Sequence, residues 1–183
     1  MTYGNALIYN CVVESGSINV LGHTVYLGGI AGRFSDATAN SCLVDSAVDI
    51  TGSGEVGGIV GDVSMSNNSA TTNCIFQGSL EIVVNEYSGR THTAGGIVGY
   101  MSSGYLYGCH NYGTVTVTTG TMYTRPTLYV GMIVGSTMHT SVQSNLGIHS
   151  CSYTESVLID NCVTPPNGGD TVRFALCGYG YEG

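Results

Sequence analysis

Gly57-Gly58-Ile59-Val60-Gly61 is followed, after a short polar stretch, by Asn73-Cys74 and then by Gly78-Ser79-Leu80-Glu81-Ile82. The same three elements recur in the same order. The glycine element returns as Gly28-Gly29-Ile30-Ala31-Gly32, as Gly95-Gly96-Ile97-Val98-Gly99 and as the variant Gly131-Met132-Ile133-Val134-Gly135, with a degraded copy in Leu176-Cys177-Gly178. The closing glycines Gly32, Gly61, Gly99, Gly135 and Gly178 fall 29, 38, 36 and 43 residues apart. An interval of this size with insertions marks a stack of repeated units. The second element also occurs as Asn10-Cys11, Asn40-Ser41-Cys42 and Gly108-Cys109, while the fourth repeat is read with Ser144-Asn145-Leu146 in its place.

The third element alternates strictly: Gly16-Ser17-Ile18-Asn19-Val20, Ser46-Ala47-Val48-Asp49-Ile50 and Gly113-Thr114-Val115-Thr116-Val117. Period-two alternation between Gly, Ser and Asn punctuation reads as a half-buried strand between turns. No stretch holds a 3.6 period, so the chain predicts no helix. About three short strands per repeat wind most simply into an all-β parallel solenoid of about five three-stranded coils, one domain over residues 1–183. The inward ladders are then Ile30, Ile59, Ile97, Ile133 and Leu176; Cys11, Cys42, Cys74 and Cys109; Ile18, Val48, Leu80 and Val115; and Val20, Ile50, Ile82 and Val117. Between the last two an outward face carries Asn19, Asp49, Glu81 and Thr116.

Composition narrows the function classes. The 183 residues hold 12 acids, four arginines and no lysine, a net charge of -8. Nucleic-acid binding depends on a basic stripe that this chain lacks. Its apolar runs are only a few residues long, so the chain predicts no membrane insertion. The seven cysteines are odd in number and spaced once per repeat, which predicts reduced core residues instead of a zinc site or disulfide framework.

The combination G-G-I-V-G, then N-C, then G-x-V-x-V resembles the GLUG repeat of secreted and surface-attached bacterial proteins, from about Ile8 to Tyr179. Met132 departs from the pattern. The resemblance implies an extracellular, non-enzymatic module that presents a solenoid face to glycan or protein partners at the cell surface. Its motif glycines (Gly28, Gly29, Gly32, Gly57, Gly58, Gly61, Gly95, Gly96, Gly99, Gly131 and Gly135) have a structural role, and it carries over no catalytic residue.

Few residues suggest chemistry. Gly52-Ser53-Gly54-Glu55-Val56-Gly57 and Gly178-Tyr179-Gly180-Tyr181-Glu182-Gly183 fit G-x-G-x-x-G but precede no helix, so both are read as turns. Asp62 follows a motif glycine where the other repeats have Arg33, Tyr100, Ser136 and Tyr179, and calcium would require a carboxylate at each. The histidines form no H-x-H or H-E-x-x-H pair and are read as surface or corner residues. No cofactor is indicated. Stacked carboxylates such as Asp49 and Glu81 keep a polysaccharide-active β-helix enzyme as the alternative. The 13 tyrosines, dense around Tyr100, Tyr105, Tyr107 and Tyr112, suggest interfaces or sugar stacking. The repeat phase at the two ends suggests head-to-tail self-association, with Cys11-Val12-Val13 meeting strands near Leu158 to Cys162 or Phe174 to Gly178 of another copy.

Overall fold

The computed structural model describes residues 2–22, 25–64, 68–84, 91–119, 127–137, 146–154 and 157–160. A first coil holds β1 (Thr2–Tyr9) and β2 (Val12–Val20). The second holds β3 (Tyr26–Gly28), β4 (Ala31–Asn40) and β5 (Leu43–Gly52). In the third, these faces divide into β6 (Glu55–Gly57), β7 (Val60–Val63), β8 (Ala70–Thr72), β9 (Ile75–Phe76) and β10 (Ser79–Val84). The fourth repeats this with β11 (Thr91–Gly95), β12 (Val98–Met101), β13 (Gly104–Tyr107), β14 (His110–Asn111) and β15 (Thr114–Thr119). The fifth follows with β16 (Thr127–Gly131), β17 (Val134–Thr137), β18 (Leu146–His149), β19 (Ser152–Tyr153) and β20 (Val157–Asp160).

Each strand pairs in parallel with its equivalent one coil away, giving three sheets. One is β3-β6-β11-β16. The second runs through β4, whose first half pairs with β7 and whose second half pairs with β8; the third runs through β5, which pairs with both β9 and β10. The chain is thus an all-β parallel solenoid with no helix among the described residues. From β3 to β16 it completes three turns, with partial coils on either side; the expected five coils count those partial ones. Leu176 and the Phe174 to Gly178 segment lie outside the described residues.

Two local devices turn the chain. At the first corner, Gly29, Ile30 and their equivalents stack tip on tip. Ile30 N–H donates to the Ile59 carbonyl, Ile59 N–H to that of Ile97 and Ile97 N–H to that of Ile133, each at 3.0 Å. At the second corner a left-handed residue precedes each cysteine. Asn10, Ser41, Asn73 and Ser150 have φ between 53° and 55°, and Gly108 has φ 61°. Asn tolerates this conformation better than most side chains, and glycine adopts it freely. The cysteine that follows points back inside the bend. Its thiol donates to the carbonyl two residues earlier in every coil: Tyr9, Asn40, Thr72, Tyr107 and His149, at 3.3 to 3.7 Å.

That column corrects the fourth repeat. Ser150-Cys151 occupies the corner, with Ser152 N–H donating to the Cys109 carbonyl, whereas Leu146 belongs to β18 opposite Gly104. A second correction concerns register. Ile18 and Leu80 both face Ile50, and Ile82 faces Gly52, because between its corner cysteine and this ladder coil two carries two residues more than coil three and one more than coil one. The column therefore reads Ile18, Ile50, Leu80, Val115. A slip of two preserves the face of every side chain, so Val48 and Ile50 are both fully buried.

The core is continuous along the axis. Ile59, Ile97 and Ile133 are 0% exposed, as are Val56, Leu80, Ile82, Val115 and Val117. Full burial of one such side chain contributes about 1.5–3 kcal/mol.

Candidate functional site

Register places Asn19, Thr51, Glu81 and Thr116 on one row, while Asp49 lies two residues earlier, opposite Ser17 and Ser79. Asp49 and Glu81 are thus not stacked neighbours, which corrects the expected Asn19, Asp49, Glu81, Thr116 row. Asp49 is exposed. Glu81 accepts hydrogen bonds from Thr118 Oγ1 at 2.6 Å and Thr51 Oγ1 at 3.5 Å, so both its oxygens bind the sheet together.

A second group was only half legible in the sequence. The residue after each motif glycine forms the ladder Arg33, Asp62, Tyr100, Ser136. The sheet packed against it carries Tyr26, Glu55, Thr93 and Tyr129 in register. Around the arch tip the two ladders meet. Arg33 Nε lies 2.7 Å from Asp62 Oδ2 off the N–H direction, an ion pair whose carboxylate side chain is 2% exposed. Arg33 Nη2 donates to Ser64 Oγ at 2.8 Å, Ser64 Oγ donates to Asp62 Oδ2 at 2.8 Å, and the guanidinium lies 4.7 Å from the Tyr26 ring centroid.

The charge balance of this group is uneven, with two carboxylates and one guanidinium. Burial first, then the Asp62 charge, push Glu55 up to about 7 against the opposing pull of Arg33. Burial also raises Asp62, opposed by the Ser64 hydrogen bond and by Arg33, and Tyr100 is raised by burial and then by Glu55 and Asp62. The neutral state pairs Arg33 with Asp62 and leaves Glu55 protonated. Glu55 escaped the sequence reading because its partners come from other strands, Asp62 from β7 and Arg33 from β4, although the solitary Asp62 was a visible signal.

His92 lies inside the protein and not at the surface or a corner as expected. His92 is 1% exposed, and its Nδ1 accepts the Gly54 N–H at 3.0 Å. Gly54, with φ 99°, sits in the Ser53–Gly54 turn between β5 and β6, so of Gly52 to Gly57 only the middle is a turn, Gly52 closing β5 and Glu55 to Gly57 forming β6; Gly178 to Gly183 lies outside the described residues.

In the cysteine column, Cys42, Cys74 and Cys109 are buried, Cys11 is exposed and Cys151 is intermediate; all five are free thiols. Cys109 is pushed up by its contacts with Cys151 and Cys74 and by burial, so it remains a thiol, its single proton shared between the Tyr107 carbonyl and the Thr71 carbonyl at 3.4 Å. Cys162 and Cys177 lie outside the described residues. No group of three or more His, Cys, Asp or Glu among the described residues is arranged to hold a metal ion.

The fourth coil bears exposed aromatic side chains on both sides of its second corner, Tyr105 and Tyr107 on β13 and Tyr112 just after β14 of the next sheet, which together form an aromatic ridge bent around the corner. Tyr105 is 44% exposed, Tyr107 53% and Tyr112 50%. Tyr105 stands between Ala70 and Gly147, Tyr107 between Thr72 and His149, and His110 between Ile75 and Ser152. A Cβ at Gly147 would sit 3.0 Å from Tyr105 Cδ1 and 3.0 Å from His149 Nε2, so the Tyr105 ring leans over glycine backbone. Tyr112 stacks on His110 with centroids 5.9 Å apart and planes 15° apart, and His110 Nδ1 lies 2.7 Å from Ser152 Oγ. The Tyr105 and Tyr112 rings are thus braced by the sheet.

No protein-family model matches the chain. Nor does any curated protein or any solved structure match it.

Proposed function

We propose that this chain is a structural and adhesive repeat module of a secreted or cell-surface protein, presenting one solenoid face to a glycan or protein partner. The observation that carries the reading is the division of labour among its polar and aromatic groups. Glu81 ties neighbouring strands, and Arg33, Asp62 and Ser64 bind one another inside the arch. The aromatic ridge, by contrast, is backed by the sheet yet leaves about half of each tyrosine, 44% of Tyr105, 53% of Tyr107 and 50% of Tyr112, open to solvent. The resemblance of the repeat to GLUG sequences supports the same setting. Beads coated with the chain should attach to surfaces bearing cell-wall polysaccharide or extracellular protein, and a Tyr105→Ala/Tyr107→Ala/Tyr112→Ala variant should lose that attachment. Release of new reducing ends from the polysaccharide would replace this reading with an enzyme.

Association end to end belongs to the same reading. The outer edges of β1 and β2 pair with no described strand, and Val12, Val20 and Leu21 are 52%, 41% and 56% exposed. Unpaired apolar edges recruit strands, although β1 and β2 each carry an irregularity, between Tyr3 and Ala6 and between Val13 and Ser15, of the kind that hinders such pairing. Light scattering decides: a mass that grows with concentration supports association, and a single-chain mass throughout removes it.

A further inference from the structure

We infer that the Tyr105, Tyr107, His110 and Tyr112 ridge is a binding site for an uncharged glycan chain. The inference rests on the adhesive reading above and names its ligand class. Stacking on a sugar requires aromatic faces held open and flat, since the axial C–H bonds of a pyranose lie against the ring. The ridge supplies this. Tyr105 lies over Gly147, where a side chain would displace it, and Tyr112 is backed by His110, itself held by Ser152. Tyr105 and Tyr107 share one face of β13 in alternation with buried Leu106. Residues at this separation lie about 6.6 Å apart on a strand, so successive rings of one extended glycan can reach both. Rigid presentation lowers the ordering cost that weakens binding by mobile side chains.

Charge selects among ligands. No residue of 69–77, 104–112 or 146–154 is Asp, Glu, Lys or Arg, so the ridge and the strands on either side of it are uncharged. The whole chain carries -8 without a lysine, which repels anionic polysaccharides at a distance. Polar atoms suited to sugar hydroxyls are present at the edges: the tyrosine hydroxyls, Thr72, Gln77, His149, Ser152 and Thr154.

The test is calorimetric titration with cellohexaose and xylohexaose as neutral probes and hexagalacturonate as the anionic one. Binding of a neutral hexaose is expected, weakened about fivefold to tenfold by Tyr107→Ala or Tyr112→Ala, retained in Tyr107→Trp and unchanged in Tyr9→Ala, an exposed tyrosine of the first coil. Unchanged melting of the alanine variants shows that they fold. Equal or tighter binding of hexagalacturonate, or no binding of either neutral hexaose, overturns the inference. So does undiminished binding by the triple alanine variant. If that variant loses surface attachment while no neutral hexaose binds, the adhesive reading stands with a protein partner and only the glycan inference falls. Attachment that survives the triple variant removes the ridge from both.

Discussion

Replacing Glu55 by Gln separates the buried proton from the rest of the molecule's acid chemistry. Glu55 titrates near 7 in the folded chain against an ordinary value of 4.5, so the native state holds a proton that the unfolded chain releases earlier. Its contribution to stability is complete below pH 4.5 and is lost as pH rises through about 7. At face value the shift corresponds to roughly 3 kcal/mol. The side chain is only partly buried, and solvent screening reduces this to about 1–2 kcal/mol. In a domain of this size each kcal/mol moves the melting temperature by about 2–4 °C.

The expected experiment is a pair of melting curves every half pH unit from 4 to 9, for the wild type and Glu55→Gln. The neutral amide should make the two proteins nearly equal at acid pH and leave the variant about 1–2 kcal/mol more stable at pH 8. Arg33 and the exposed acids remain in both, while Asp62 and Tyr100 feel the Glu55 charge, so the difference between the curves reads Glu55 together with its coupling to these two. A difference that stays constant across the whole range, or that favours the wild type increasingly as pH rises, refutes the reasoning.

Arg33→Met should destabilise the fold by about 3 kcal/mol, because it leaves Asp62 buried without its cation; chemical denaturation measures it, and a loss below 1 kcal/mol would mean that Ser64 alone satisfies the carboxylate. Ile97→Asp should abolish soluble expression, since Ile97 is 0% exposed between Ile59 and Ile133, whereas Asp49→Asn should melt within a few degrees of the wild type. Equal melting of the two would invert the assignment of faces. Thiol labelling of the native protein should modify Cys11 rapidly and Cys42, Cys74 and Cys109 only on unfolding; two or fewer free thiols in the denatured, unreduced chain would contradict the column of unpaired cysteines.

The arches and corners were legible in sequence because each repeats a steric demand. The glycines stand where strand backbones approach, and the N-C pair stands where a left-handed residue turns a cysteine inward. The register of coil two was not legible. A two-residue slip leaves the alternation intact, so Val48 and Ile50 serve equally well as the apolar partner of Leu80 in the linear pattern. The Arg33, Asp62 and Glu55 group was hidden for a different reason: its partners belong to different ladders, and only the fold of the arch joins them. His92 was misplaced because its partner is the N–H of Gly54, and a main-chain donor leaves no mark in a side-chain pattern. Cys151, by contrast, was visible, but the insertion before it displaced the expected spacing.

The departure of Met132 from the glycine pattern follows from what lies along the axis. A Cβ on Gly29 would sit 2.6 Å from the Gly58 carbonyl oxygen and 2.7 Å from Val44 Cγ2. One on Gly58 would reach Phe76 Cγ at 2.5 Å, and one on Gly96 would reach Asn111 Cγ at 2.5 Å, each also meeting the carbonyl oxygen of the next arch. The second glycine of the motif is therefore required by the following arch and by the larger residue opposite it. Among the described residues no arch follows Gly131 to Gly135, and Met132 fills that place at 4% exposure. Met132→Ala should accordingly cost about 2 kcal/mol of lost apolar burial and still give a folded protein. Gly96→Ala adds a single methyl group, yet it should prevent folding, since neither a carbonyl in the ladder nor Asn111, which donates from Nδ2 to the Met132 carbonyl at 2.8 Å, can move aside. Melting of Gly96→Ala within about 3 °C of the wild type would show that the arches do not pack this closely, and the stacking of glycine columns would lose its physical basis.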